Sequence, residues 1–175
     1  MQGLTPPHGY RWTFVALEYY ALILNRVYLV LVGDGILAGA YMRGSIMAVP
    51  FPPQAWHPGF WLSEKRLARY AEVHIGSPEF RRAHWANFQH RRSDIVDVQH
   101  NMRPKWGMGS VPYSGRIHVT WAHGLKREFI LLGRQDGAAI RDRLAPAATR
   151  FTVAAGDPVP TPVFDPFRPL PAPGF

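Results

Sequence analysis

Apolar residues near the start of the chain follow one another almost without interruption. Residues 12–24 read WTFVALEYYALIL, in which Trp12, Leu17 and Leu24 are among the apolar residues at helical spacing. Such a run predicts a buried helix, although its aromatic content also suits a strand. We therefore expect residues 12–24 to form a helix that is buried on most of its faces.

Two aliphatic runs then flank a glycine-rich turn. Residues 27–32 and 36–43 are rich in aliphatic side chains, and Gly-Asp-Gly separates them at residues 33–35. Asp-Gly is a preferred two-residue hairpin turn, because glycine adopts positive φ freely and aspartate tolerates it. The pattern therefore predicts a β-hairpin.

The same turn also resembles a nucleotide-binding loop, since Gly33, Gly35 and Ala38 fit the pattern G-x-G-x-x-A. That fingerprint requires a helix after the glycines and, about 20 positions later, an acidic residue that binds the ribose. Closely spaced prolines interrupt any long helix downstream, and no Asp or Glu occurs between Asp34 and Glu64. The hairpin is therefore the better interpretation.

A proline-rich and aromatic-rich stretch follows at residues 47–61, with four prolines. Proline has no N–H to offer a sheet, so this stretch is expected to be irregular and held by packing of its rings. Helices are predicted over residues 63–73 and 77–87, where Ser63 and Ser77 are suitable N-caps.

The pattern then becomes that of strands. Three strands are expected, at residues 93–100, 116–121 and 127–133. In the first, Ile95 and Val98 are apolar among polar positions. In the second, Ile117, Val119 and Trp121 alternate with polar residues and therefore point to one side of the sheet.

The end of the chain combines a helix with a proline-rich tail. Residues 134–144 predict a helix with Ile140 and Leu144 on its buried side. Within residues 151–175 the stretch PVPTPVFDPFRPLPAPGF contains seven prolines. This composition favours an extended polyproline-type arm that exposes its phenylalanine rings.

Composition limits the class of protein. The chain has 175 residues, is 47% hydrophobic and contains no cysteine, so one domain with a substantial core is expected, without disulfides or thiolate metal sites. Residues 1–10 lack the basic and apolar regions of a signal peptide. The most apolar stretch, residues 14–40, includes Glu18, Arg26 and Asp34, which disfavour a membrane-spanning helix. Membrane association is therefore expected to be peripheral.

The net charge of +8 favours anionic partners, namely nucleic acid, anionic lipid headgroups or acidic protein surfaces. The alternative is that the arginine excess reflects codon usage and serves solubility. Trp85, Phe88 and Trp106 are interleaved with the basic residues of segment 81–105, which would suit single-stranded nucleic acid. Because these rings are expected in the core and the usual RNA-binding signatures are absent, nucleic acid is not favoured.

Catalytic and metal-binding patterns are weak. None of the eight histidines forms an H-x-x-x-H or H-E-x-x-H pair that would place two imidazoles on one helix face. Asp94 and Asp97 are three positions apart, so on a strand they would face opposite sides. We therefore predict no catalytic residue, no metal site and no cofactor. A small enzyme that uses His84, His90 or His118 is a lesser alternative.

The order of the elements resembles that of bacterial pleckstrin-homology-like (PH-like) domains, in which a hairpin, an insertion, three strands and a closing helix follow one another. The resemblance covers residues 27–145. It depends on the Asp-Ile pair at 94–95 and on the strand sequences GRIHV and REFILLG. These are fold-level patterns of modest specificity. The insertion at residues 47–90 departs from the family because it is longer and more aromatic than a simple barrel loop.

The resemblance implies an α+β fold: a PH-like antiparallel β-barrel or sandwich with a helical insertion, a C-terminal capping helix and extended terminal arms. Residues 1–26 would be an N-terminal arm and helix, 27–150 the PH-like domain with its insertion, and 151–175 the C-terminal arm. PH-like domains are mostly adaptors. Their lipid binding uses basic residues in the first hairpin loop, whereas the loop at 33–35 has none, so that role is not expected to transfer.

The function expected from this profile is that of a non-catalytic subunit. It would dock by a basic surface and two arms onto a larger multi-subunit membrane protein complex, at the cytoplasmic face of the membrane. The profile is similar to that of membrane-extrinsic accessory subunits of bacterial photosynthetic reaction-centre and light-harvesting complexes. The alternatives are a PH-like module for anionic lipid or nucleic acid, and the small enzyme. The predicted partner-binding residues are Arg81, Arg82, Arg91, Arg92, Arg103, Lys105, Phe164, Phe167, Arg168 and Phe175.

Deleting residues 157–175 is expected to leave the domain folded but to release it from its complex, because the arm would supply contact area with the partner. Isolation of the tagged full chain and of the 1–156 chain from native membranes in mild detergent tests this. Circular dichroism of the shorter chain checks its fold. Equal recovery of the same membrane proteins with both chains would contradict a role for the arm.

Overall fold

The chain folds around one antiparallel sheet, seen in a computed structural model that describes residues 9–146 except residue 22 and residues 47–49. The strands are β1 (Tyr10–Tyr19), β2 (Asn25–Gly33), β3 (Ile36–Arg43), β4 (Phe88–Arg91), β5 (Ile95–Asn101), β6 (Tyr113–Trp121) and β7 (Lys126–Leu132). The α-helices are α1 (Glu64–Tyr70), α2 (Pro78–Ala83) and α3 (Gly137–Leu144), and short 3-10 helices span Pro53–Trp56, Pro58–Trp61 and Arg92–Asp94. The expected mostly antiparallel sheet with a few helices is therefore confirmed.

The sheet has the strand order β4-β3-β2-β1-β7-β6-β5 and curls into a half-barrel. Its two edges, β4 and β5, are consecutive along the chain, and only the 3-10 helix at 92–94 separates them. Contacts between the two halves follow from this curl. The Phe88 ring lies 5.9 Å from the Phe129 ring, and Trp121 Nε1 donates to the Arg91 carbonyl at 3.2 Å.

The central strands are buried on both faces. Since successive residues of a strand point to opposite faces, alternate residues of β1 enter two separate apolar clusters. Leu17 packs in the cluster that contains Trp61 of the insertion, whereas Phe14 packs in the cluster that contains Trp121 of β6. The central strands therefore have the insertion on one face and the inside of the half-barrel on the other.

The prediction of a helix over residues 12–24 is wrong, because Tyr10–Tyr19 is strand β1 and pairs with both β2 and β7. A strand that is buried on both faces is apolar at successive positions, as at residues 14–17, so it loses the alternation that distinguishes a strand from a buried helix. The segment also belongs to the sheet. Residues 1–8 of the predicted N-terminal arm lie outside the described residues.

The hairpin prediction is confirmed, since β2 and β3 pair on either side of residues 34–35. The turn does not use the conformation on which the prediction depended, because neither Asp34 nor Gly35 has a positive φ. Tertiary contacts hold the turn instead. Arg11 forms an ion pair with Asp34, and the Gly35 carbonyl accepts from the Arg92 amide at 3.0 Å.

Two helices begin after Ser63 and Ser77 as predicted, and both are shorter than predicted. Ser77 Oγ accepts a hydrogen bond from the Phe80 amide at 3.3 Å, which satisfies an otherwise free donor of the first turn. The helices end at Tyr70 and Ala83. Together they form part of the insertion that covers one face of the sheet.

The proline-rich stretch packs around Trp61. Its described part, residues 50–61, forms two 3-10 helices. Trp61 is fully buried, its Nε1 donates to the Ala55 carbonyl at 2.9 Å, and its ring lies 5.0 Å from the Phe51 ring. The expectation of an irregular segment held by ring packing is confirmed for these residues.

The three later strands and the last helix are confirmed, although their bounds differ from the predicted ones by up to three residues. A bulge between Ile95 and Asp97 shifts the register of β5, so that Ile95 and Val98 both reach the cluster behind β6. Helix α3 adds Ile140 and Leu144 to the same cluster. The alternating residues of β6 in this cluster are Ile117, Val119 and Trp121.

The curl of the sheet leaves no room for a side chain at Gly39. It lies opposite Phe88, and a Cβ added there would lie 2.0 Å from the Phe88 ring. Gly39→Ala is expected to lower the free energy of unfolding by about 1–3 kcal/mol, because the ring or strand β4 must move. Gly35→Ala is the control: its added Cβ meets nothing within 4 Å, so stability should not fall. Equal losses in urea unfolding would contradict the β3–β4 register.

Candidate interaction surface

The turn between β1 and β2 exposes apolar side chains. Ile23 is 71% exposed and Leu24 is 43% exposed, and we call these two residues the apolar tip. The turn is closed by a hydrogen bond from the Tyr20 amide to the Leu24 carbonyl at 3.1 Å. The adjoining strands β1 and β2 are apolar because they are buried on both faces. The apolar sequence continues into this turn, where the side chains are exposed.

A stack of rings and one guanidinium group borders the apolar tip. The Arg26 guanidinium lies 3.6 Å from the centroid of the Tyr20 ring and 4.5 Å from that of Trp85. The His84 ring lies 5.7 Å from the Trp85 ring and 4.0 Å from the Tyr41 ring. We call these five residues the aromatic ladder. Its central ring, that of Trp85, is 79% exposed although both of its neighbours hold it in place.

A buried asparagine fixes the segment that carries Trp85. Asn87 Oδ1 accepts from the Tyr41 amide at 3.0 Å and from the Tyr70 hydroxyl at 2.9 Å. Asn87 Nδ2 donates to the Phe80 carbonyl at 2.7 Å. The side chain thereby ties β3, α1 and α2 together. Because a buried amide is costly unless it is hydrogen-bonded, these contacts fix the position of residues 84–87 on the sheet.

A second exposed tryptophan lies on a loop that reaches the end of β1. Trp106 is 87% exposed. On either side of it, Lys105 Nζ lies 5.2 Å from the Tyr19 ring, and the Tyr19 hydroxyl lies 3.7 Å from Met108 Sδ. Tyr19 is the last residue of β1. The ladder, the apolar tip and the Trp106 loop therefore all adjoin this end of β1.

The expectation that all three aromatic rings of the basic segment lie in the core is wrong for two of them. Phe88 is buried, but Trp85 and Trp106 are among the most exposed large side chains of the described residues. Trp85 follows the end of α2, and Trp106 lies in a glycine-rich loop. Neither residue belongs to a helix or strand whose periodicity would direct its ring inwards. The sequence could have indicated their exposure only through this lack of periodicity.

The predicted basic surface is divided among several elements. Arg81 and Arg82 are exposed on α2, where Arg82 lies 2.6 Å from Glu79. Arg91 is exposed at the end of β4, and Arg103 is exposed on the loop after β5. The structure therefore leaves these four cations at the surface, but on three different elements.

The other two predicted cations take part in the fold. Arg92 donates to the Gly33 carbonyl at 2.9 Å and to the Arg143 carbonyl at 2.6 Å, which ties the β4–β5 junction to the hairpin and to α3. Lys105 forms an ion pair with Glu128. The remaining predicted partner-binding residues, Phe164, Phe167, Arg168 and Phe175, lie outside the described residues and stay predictions.

A second candidate site lies on the polar face of β5–β7, in a depression of about 450 Å³ lined in part by His118 and Glu128. Glu128 Oε1 lies 2.7 Å from Arg116 Nη1 and 3.6 Å from His118 Nε2, and Lys105 contacts its other oxygen. Burial, followed by the charge of Arg116, lowers the pKa of both His118 and Lys105. The cluster neutralises one carboxylate with neighbouring cations.

The candidate histidines have separate surroundings. His84 stacks on Tyr41 within the aromatic ladder, and burial lowers its pKa, helped by nearby arginines. His90 packs between Phe88 and Trp121, with ring distances of 5.5 and 4.9 Å. Within the part of the chain that the structure describes, no three His, Asp or Glu side chains are grouped to hold a metal ion.

His90 should make stability depend on pH. Burial, and then Arg127, lower its pKa to about 4, so the folded protein favours the neutral ring, whereas the unfolded value is about 6.5. The free energy of unfolding should therefore be constant above pH 6.5 and fall by about 1–2 kcal/mol as the pH drops towards 4, after allowance for partial exposure. His90→Phe should keep the ring packing and reduce this slope, leaving the contributions of His84 and His118, whose pKa values are also lowered. Urea unfolding from pH 4 to 7 measures it, and an unchanged slope would contradict the assignment.

Comparison of the chain with protein-family models, with curated proteins and with solved structures gives no match. None of the helices in the described part of the chain has the length and apolarity needed to cross a membrane. The candidate surface is therefore defined by geometry: Trp85 exposed between Arg26 and His84, next to the exposed side chains of Ile23 and Leu24.

Proposed function

We propose that this protein is a non-catalytic interaction subunit that docks onto a larger membrane protein complex through the aromatic ladder. The observation that carries the proposal is the Trp85 ring, which is 79% exposed yet held by Arg26 and His84. Tryptophan and arginine are enriched among the residues that dominate binding energy at interfaces. A ring that is fixed before binding loses little conformational freedom on association.

We also propose that the half-barrel is a PH-like domain. The hairpin β2–β3, the insertion, strands β5–β7 and the closing helix α3 follow the order of that family, which supports the assignment. Neither of the first two turns, residues 20–24 and 33–35, contains lysine or arginine. An adaptor role therefore fits better than recognition of a phosphorylated lipid headgroup by a basic hairpin loop.

The separation of the histidines supports a non-catalytic role. His84 belongs to the ladder, His90 is packed between aromatic rings, and His118 lies beside Glu128. Acid–base or nucleophilic catalysis needs groups that converge on one reacting atom. These three residues are distributed over separate environments, so each is better explained by packing or by charge neutralisation.

A narrower proposal concerns the partner and the compartment. The net charge of +8 suits the cytoplasmic face of a membrane, where positive charge is favoured. A photosynthetic reaction-centre or light-harvesting complex is the partner suggested by the overall profile. Identification of the proteins that are isolated with the full chain decides between this partner and any other membrane complex.

Trp85→Ala in the full chain is expected to lower recovery of the membrane complex at least about tenfold, because loss of a central tryptophan at an interface costs more than about 1.4 kcal/mol. Trp56→Ala is the matched control, since Trp56 is 44% exposed and packs beside Arg134 rather than in the aromatic ladder. Quantitative mass spectrometry after isolation from native membranes gives the readout. Full recovery with Trp85→Ala would overturn the role of the ladder.

A further inference from the structure

We infer that the apolar tip enters the interfacial region of an anionic lipid bilayer while the aromatic ladder lies at the level of the headgroups. The inference rests on the proposed function, because it concerns the same end of β1. It adds the lipid bilayer itself as a ligand of that surface and thereby assigns an orientation to the sheet relative to the membrane.

The first observation is the chemistry of the turn. Residues 20–24 read YALIL, without a charged side chain, and Ile23 and Leu24 are exposed. Removing aliphatic surface from water is favourable, and both side chains lie on a turn that no other described element covers. Aliphatic side chains offer no stacking surface to bases, so single-stranded nucleic acid does not account for them.

The second observation is the chemistry of the side chains that border the tip. Tyr20 and Trp85 come next, and their amphipathic rings are of the type enriched where hydrocarbon meets water. The guanidinium of Arg26 lies between them, and Arg43 is exposed at the end of β3 opposite Val27. Aliphatic side chains at the tip, with aromatic rings and arginines bordering them, match the hydrocarbon boundary and the headgroup region of a bilayer.

The third observation is charge. A net charge of +8 complements anionic headgroups, and a single short apolar turn binds a membrane weakly without such attraction. Trp106 supplies a second anchor, because its loop contacts Tyr19 at the end of β1 and its ring is exposed. The bilayer therefore explains the tip, the ladder and the Trp106 loop with one ligand.

Vesicle binding tests the inference on the full chain. The probes are vesicles of phosphatidylcholine with phosphatidylglycerol and vesicles of phosphatidylcholine alone. The double variant Ile23→Ser, Leu24→Ser is expected to bind the anionic vesicles at least about tenfold more weakly than the natural sequence. The control is Val96→Ser, since Val96 is 55% exposed but lies on edge strand β5. Its binding should be unchanged.

Quenching of tryptophan fluorescence by brominated acyl chains gives a second, independent readout. The natural sequence should be quenched in anionic vesicles, and Trp85→Phe and Trp106→Phe should each reduce that quenching. Absence of binding to anionic vesicles, or equal binding by the double variant and the natural sequence, would overturn the inference.

The same proteins separate this inference from the proposed function. If the double variant still recovers the membrane complex while the natural sequence fails to bind vesicles, the lipid inference fails and the docking proposal stands. If the natural sequence binds anionic vesicles through the tip but recovers no membrane protein, the lipid inference stands and the docking proposal fails.

Discussion

The seam between β1 and β7 holds the two halves of the sheet together, although its backbone register is short. Side chains reinforce it on either side. The Gln135 amide accepts from the Val15 N–H at 2.9 Å and donates to the Val15 carbonyl at 2.7 Å, so it acts as a substitute strand partner. Further along the seam, Arg127 binds Glu18 through two hydrogen bonds of 2.8 and 3.1 Å. Burial raises the pKa of Glu18, and Arg127 opposes that rise, which makes the pair mutually dependent.

The seam also positions the candidate surface. The Arg127 guanidinium lies 3.6 Å from the centroid of the Phe88 ring, which occupies the space above Gly39. Phe88 begins β4, and the residue before it is Asn87, whose amide fixes the segment that carries Trp85. A continuous set of contacts therefore runs from the buried ion pair to the exposed ladder. Rigid support of this kind lets a surface ring keep a defined position without being buried.

Local chemistry was sufficient to predict part of this fold. The alternation in β6 and the Ser77 cap of α2 depend on neighbouring residues, and the structure has both. The β2–β3 hairpin is present as well, but contacts with Arg11 and Arg92 hold its turn. The burial of β1 on both faces could not be predicted from the sequence, because it removes the two-residue alternation by which a strand is recognised. The exposure of Trp85 was not readable either, since it depends on Asn87 and Arg26, which are distant from one another along the chain.

The apolar tip is related to the burial of β1 on both faces of the sheet. Strand β1 must be apolar at consecutive positions because the sheet is covered on both faces, and its register with β2 ends at Tyr19 opposite Asn25. The sequence remains apolar beyond that pair, where the fold no longer provides any cover. Ile23 is therefore left 71% exposed and Leu24 43% exposed. Stability accounts for apolar residues that are buried, so adjacent apolar residues exposed on a turn are better explained by a surface that the turn meets.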